Sequence, residues 1–144
     1  MKDTLQPGLT HTFQSRIPAT KTVRHLYPES AMFQDMPDVF ATGFMIGLLE
    51  WACIETLRPH LDWPDEQSLG TQVNFSHEAA TPPGMTVTVN VRLTEVDGRR
   101  IRFHVEAHDG MERISQGTHE RVVIDAARFR DKVAQKAARA AKAG

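Results

Sequence analysis

The apolar residues of this chain change period once, and that change restricts what it can fold into. In ATGFMIGLLEWACIETL, residues 41–57, Met45, Leu48, Leu49, Ala52, Cys53 and Leu57 recur at i, i+3, i+4, i+7, i+8 and i+12. That is one broad stripe at the period of an α-helix. Pro59 stands just beyond it, where a helix is expected to stop. From Thr71 onward the period falls to two. In GMTVTVNVRLTEV, residues 84–96, Met85, Val87, Val89, Val91 and Leu93 alternate with other residues, and in RIRFHVEAH Ile101, Phe103, Val105 and Ala107 do the same. Asp97-Gly98 and Asp109-Gly110 are hairpin turn signals. One apolar helix against a run of half-buried strands predicts an α+β layer arrangement, with a curled sheet wrapped around the helix.

The remaining segments fill in that frame. LTHTFQSRI, residues 9–17, alternates loosely and predicts a first strand. Residues 21–40 hold Pro28 and Pro37 and no clean period, so they predict a long loop with short helical turns, and long ordered loops are often functional. LDWPDEQSLG, with Pro64 and Gly70, predicts a connecting loop. The expected order is strand, long loop, buried helix and a four-strand antiparallel meander, whose last strand runs from about Met111 to Ile124. From about residue 126 to 144 the chain is Ala-rich, with Arg128, Lys132, Lys136 and Arg139, and predicts a solvated terminal helix. Residues 1–144 are expected to form one domain. Edge strands in such a fold often pair across a dimer.

Composition narrows the function classes. The chain is 40% hydrophobic and 24% charged with a formal net charge of -1, so nothing in its charge draws it to nucleic acid or a membrane surface. Its start, MKDTLQPGLTHTF, has no apolar core of a secretory signal, and the apolar run at residues 43–49 is too short to span a bilayer. A cytoplasmic location is the expectation. The single cysteine, Cys53, lies on the apolar stripe and reads as a small core residue. HEAAT and HERVV both lack the second histidine of a helical zinc-protease motif, and there is no CxxC, phosphate loop or GxSxG elbow. No metal site is expected.

Three residues then stand out. Glu50 falls between Ile46 and Leu57 on the helix, at the edge of the apolar stripe. A carboxylate buried there needs a partner or a hydrogen bond; Glu50 is either a flank residue that snorkels or pairs with an arginine, or a general base or nucleophile. Thr42 lies at or just before the helix start, where its hydroxyl serves as an N-cap or faces charge developing near free N–H groups. Thr42 and Glu50 are about 12 Å apart by helical rise, so they cannot bond each other within one chain. His77 follows Phe75 at strand spacing and is either a structural imidazole or an acid/base group.

KTVRHLYPES, VFATGFMIGLLEWAC, SLGT, HEAATPPGMTVTV, AHDG and GTHER together resemble the fluoroacetyl-CoA thioesterase family of hotdog-fold thioesterases, over roughly residues 18 to 135. The resemblance implies a hotdog fold and a homodimer with two sites at the subunit interface. It implies a catalytic set of Thr42, Glu50 and His77, with the Gly70 N–H beside the thioester carbonyl. It implies a hydrophobic lid over the acyl group at Val23, Leu26 and Phe33. Met36 stands where the family has a second phenylalanine, which loosens the expectation of strict fluoroacetyl selectivity. The expected substrate is a short acyl-CoA, fluoroacetyl-CoA first, with no cofactor, since coenzyme A is part of the substrate. A general short-chain thioesterase, an acyl-CoA-binding module and an enoyl-CoA hydratase are the alternatives.

Overall fold

The computed structural model describes residues 1–144. Strand β1 (Thr10–Arg16) leads through a 3-10 turn to two short helices, α1 (Val23–Leu26) and α2 (Ala31–Asp35). The long helix α3 (Thr42–Leu57) follows, then strands β2 (Glu66–Phe75), β3 (Thr86–Asp97), β4 (Arg100–His108) and β5 (Arg113–Asp125), and a terminal helix α4 (Ala126–Ala143).

All six residues of the sequence-read stripe on α3 are buried. They pack on the inward residues of the sheet: Val87, Val89, Val91 and Leu93 from β3, and Ile101, Phe103, Val105 and Ala107 from β4. The period-two segments are therefore strands with one face on the helix and one outside. Phe44, Ile46, Trp51 and Ile54 make α3 apolar on its outer sides too, as expected of a helix surrounded by other elements.

The five strands form one antiparallel sheet in the order β1-β3-β4-β5-β2. Here the expectation of a consecutive four-strand meander needs correction. β3, β4 and β5 do run as a meander, but β2 pairs with β5, and β1 takes the place beside β3. The cause lies in residues 76–85, which include Pro82 and Pro83 and cross between strands rather than closing a tight hairpin. The loop predicted at residues 61–70 is also shorter than expected: β2 begins at Glu66, so Gly70 is a strand residue.

Gly117 fixes how β2 sits on β5. Its φ is 154°, and a Cβ added there would lie 1.9 Å from the Asn74 carbonyl oxygen. Only glycine allows the two strands to approach so closely at the point where the chain leaves β2 toward His77. Gly117→Ala is expected to destabilise the fold by about 3 kcal/mol or to prevent it. Chemical denaturation of the purified variant measures this.

Candidate active site

The site residues lie along the flank of α3 that faces β2, in two groups. The first is at the helix N-terminus. Thr42 is the first helical residue and Ala41 occupies the N-cap without a side-chain bond, so the N-cap role considered for Thr42 is not the one it plays. The backbone ahead of it is held extended: Thr22 and Phe40 form an isolated bridge, and Phe40 N–H donates to the Thr81 carbonyl at 2.8 Å. The first helical bond is Met45 N–H to the Ala41 carbonyl, so the N–H groups before it point out of the helix end.

The Thr42 hydroxyl is thereby free for another partner. It lies 2.7 Å from His77 Nδ1. His77 stands two residues beyond the end of β2, not within the strand, yet its neighbours still follow β5. Ser76 N–H donates to the Gln116 carbonyl and Glu78 N–H to that of Ile114. Burial lowers the His77 pKa below its ordinary value, against a smaller upward pull from the Ala79 backbone. The ring is neutral at neutral pH. With the proton on Nε2, Nδ1 accepts from the threonine hydroxyl, and Nε2 is buried with no partner in the chain.

The second group surrounds Glu50, two turns further along α3. Arg121 Nη1 donates to Glu50 Oε2 at 3.0 Å. The same nitrogen lies 3.0 Å from His119 Nε2, while Arg121 Nε and Nη2 donate to the Ser68 hydroxyl and carbonyl at 2.8 and 2.9 Å. His119 Nδ1 donates to the Gln72 carbonyl at 2.7 Å, which leaves Nε2 as the acceptor toward Arg121. Burial, helped by the nearby guanidinium, keeps the His119 pKa low, so it too is neutral. Arg121 is only 4% exposed and Glu50 35%. Glu50 therefore presents Oε1 to solvent while Oε2 is tied down. Gly70 faces it: a Cβ there would lie 2.7 Å from Glu50 Oε2. The absent side chain is what gives the carboxylate room. A bulge between Gly70 and Gln72 shifts the β2–β5 register at this point.

Over the first group lies the segment from Thr22 to Phe40. Its neck is closed by the Thr22–Phe40 bridge and by Val23 N–H donating to the Val39 carbonyl. Gln34 Nε2 donates to the Arg24 and Pro28 carbonyls, and Tyr27 meets Phe33 edge-on, which ties α2 to α1 and the turn between them. Leu26 packs on Gly43, where a Cβ would come within 2.9 Å of its methyl carbon. Val23, Leu26 and Phe33 are half-buried, and Met36 is exposed at the end of α2.

Comparison with known proteins shows the chain's family. Residues 21–127 match the model of the fluoroacetyl-CoA-specific thioesterase family. The fluoroacetyl-CoA thioesterase of Streptantibioticus cattleyicolor is 54% identical over 136 residues, 94% of this chain and 97% of that protein. The chain belongs to the fluoroacetyl-CoA-specific thioesterase family. A solved structure of the fluoroacetyl-CoA thioesterase FlK superposes with a TM-score of 0.90 at 53% identity, covering 93% of this chain and 98% of that one. A Thermus thermophilus hypothetical protein of the thioesterase superfamily superposes at 0.83 with 25% identity, covering 99% of each chain. The fold is the hotdog fold of this family, an antiparallel sheet curled around one long helix.

Two of the site's charged and polar residues went unassigned in the sequence. His119 and Arg121 sit in GTHER, which contributes to the family resemblance and fails as a zinc-protease motif, but neither reading gives these two residues a role. The signal was present: both alternate inward with Val123 on β5, and inward polar residues on a core strand need a buried partner. No helix of the chain is long and apolar enough to cross a membrane. Cys53 lies in the core, its thiol pKa pushed up to about 12 chiefly by burial, and it takes no part in the site.

Removing the carboxylate would leave the buried Arg121 charge uncompensated. Glu50→Leu is expected to destabilise the fold by about 2–3 kcal/mol, below the full figure for a buried pair because Glu50 is partly solvated. Glu50→Gln keeps an acceptor for Arg121 and should lose roughly 1 kcal/mol. Denaturant titration of both variants checks the order.

Proposed function

We propose that the chain hydrolyses short acyl-CoA thioesters, with fluoroacetyl-CoA its leading substrate, to the free acid and CoA. Family membership supplies the reaction class. The observation that carries the site is the Thr42–His77 bond at a helix N-terminus, on the same helix flank as an arginine-held carboxylate with one free oxygen.

The roles follow from those contacts. Glu50 Oε1 attacks the thioester carbonyl or takes a proton from a water that does so. The Gly70 N–H is the donor toward the carbonyl oxygen as it becomes an oxyanion. Thr42, between the free helix N–H groups and His77, polarises the reacting group; because it lies about 12 Å along the helix from the Glu50 of its own chain, the two meet in one site only across a dimer, one from each protomer. His77 exchanges a proton with the departing CoA thiolate or with the acidified α-carbon beside fluorine. The segment carrying Val23, Leu26, Phe33 and Met36 closes over the acyl group and keeps water out until it opens. Single turnover in heavy-oxygen water tests the covalent route: label in the Glu50 carboxyl marks a glutamyl anhydride, and its absence counts against one.

The active unit in this reading is a homodimer in the cytoplasm, where CoA esters are made. Its support is the outer edge of β2. Residues 70–74 are exposed there, Val73 at 42%, and the strand's second edge has no partner in the chain. Thr42 and Gly70 are both exposed. A second copy laid against this edge would both pair the strand and wall the site. Met36 favours a second reading, a general short-chain thioesterase, because a flexible thioether gives the acyl pocket a softer wall than an aromatic ring.

Thiol release from fluoroacetyl-CoA and acetyl-CoA, measured side by side, tests the substrate. The expected result is a kcat/KM preference for the fluorinated ester that rises about tenfold in Met36→Phe. Equal rates on both esters, in both proteins, would leave the general thioesterase, and no thiol release from either would sink the hydrolase reading.

The pH profile tests His77. Its base form is lost as pH falls through its own pKa, which burial has moved below 6.5. The acid limb of kcat/KM should therefore lie below pH 6.5 and disappear in His77→Ala. A limb above that value, or one unchanged in the variant, would assign the titration to another group.

A further inference from the structure

A pocket of about 390 Å³ lies on the flank of α3 turned toward β1, whereas Glu50 faces β2. Ile17, Phe40 and Leu48 are buried at its base, and Phe44 and Trp51 form its wall. Arg16 and Lys21 stand at its border. The volume is in the range of small-molecule sites.

Three features here lack a packing reason. Gly47 lines the pocket from within the helix, where glycine costs about 1 kcal/mol relative to alanine. A Cβ there would meet nothing within 4 Å, so no neighbour demands its absence; what glycine preserves is open space. Arg16 and Lys21 are paired with no carboxylate. Arg16 Nε donates to the Gly84 carbonyl, and Lys21 Nζ sits 4.8 Å above the Phe44 ring. Trp51 is half exposed yet fixed, edge-on to Phe13 at 4.6 Å with its indole N–H donating to Glu55. A held aromatic wall, an apolar base and two cations without counter-charges match an anion with a flat apolar body.

We infer that this pocket binds a small aromatic anion, its ring against Phe44 and Trp51 and its charge at Arg16 and Lys21. The chemistry has two sources: the adenosine phosphate end of a CoA ester reaching across the open Gly47 ridge, or a separate aryl acid. The β2 edge proposed for dimerisation lies at the other end of the sheet, so the pocket stays accessible in the dimer.

Trp63→Phe leaves Trp51 as the only tryptophan and makes its fluorescence a direct reporter. This protein is titrated with adenosine 3′,5′-bisphosphate and with phenylacetate. The expected result is a saturable change with at least one probe, weakened about tenfold or more by Gly47→Leu and by the pair Arg16→Gln, Lys21→Gln. Leucine is the better helix former, and circular dichroism checks that the Gly47→Leu fold persists. If the bisphosphate binds, CoA competes with it, and Gly47→Leu raises KM for the thioester at unchanged kcat, the ligand is the substrate's own nucleotide end. Binding of phenylacetate with KM unaltered in Gly47→Leu identifies a separate ligand. No saturable change with either probe at millimolar concentration, or a change that Gly47→Leu leaves intact, overturns the inference.

Discussion

The Arg121 guanidinium is the point on which the site's geometry depends. Buried between β2, β5 and α3, it needs a counter-charge and hydrogen-bond acceptors for its donors. Glu50 supplies the charge, Ser68 two acceptors and His119 a further one. Each partner is then constrained in turn. Glu50 fixes the rotation of α3 about its axis. His119 must be neutral with its Nδ1 proton toward Gln72. Gly70 must lack a side chain, since any Cβ would collide with the carboxylate. One buried cation thus aligns a helix with two strands and leaves one carboxylate oxygen facing outward.

This arrangement explains how a mostly apolar helix carries polar chemistry. The Thr42–His77 pair is built from backbone that has left regular structure on both sides: the extended approach to α3 and the run beyond β2. Phe40 and Thr81 join the two through a single hydrogen bond. Thr81 is itself buried and donates to Asp109, whose carboxylate also accepts from the Met111 and Glu112 N–H groups. The hairpin after β4, remote in sequence from both, thus buttresses the backbone on which the threonine and the imidazole are carried. Glu50, by contrast, is placed by the helix itself.

Periodicity made the core legible. The stripe Met45 to Leu57 and the alternation from Val87 to Ala107 depend only on local residue order, and every one of those positions is buried. Strand pairing was not legible in the same way. Pro82 and Pro83 speak against a tight hairpin in residues 76–85, but they do not say which strand β2 pairs with instead, because the preference for β5 over β3 is a long-range matter of packing. The edge position of Glu50 was readable from helical angle, but its arginine partner lies 71 residues away. The pairing of Thr42 with His77 likewise spans 35 residues and has no local signature. For those roles the family resemblance added what spacing could not.

In the proposed mechanism the Glu50 carboxylate, held by Arg121, performs the chemistry. The most direct measurement is kcat for thiol release from fluoroacetyl-CoA by Glu50→Gln, with Arg121 still bonded to the amide oxygen and the fold verified by denaturation. The account predicts a loss of at least about a thousandfold, since an amide is neither base nor nucleophile. A rate within roughly tenfold of the unaltered protein would contradict it and reduce Glu50 to a counter-ion for a buried arginine.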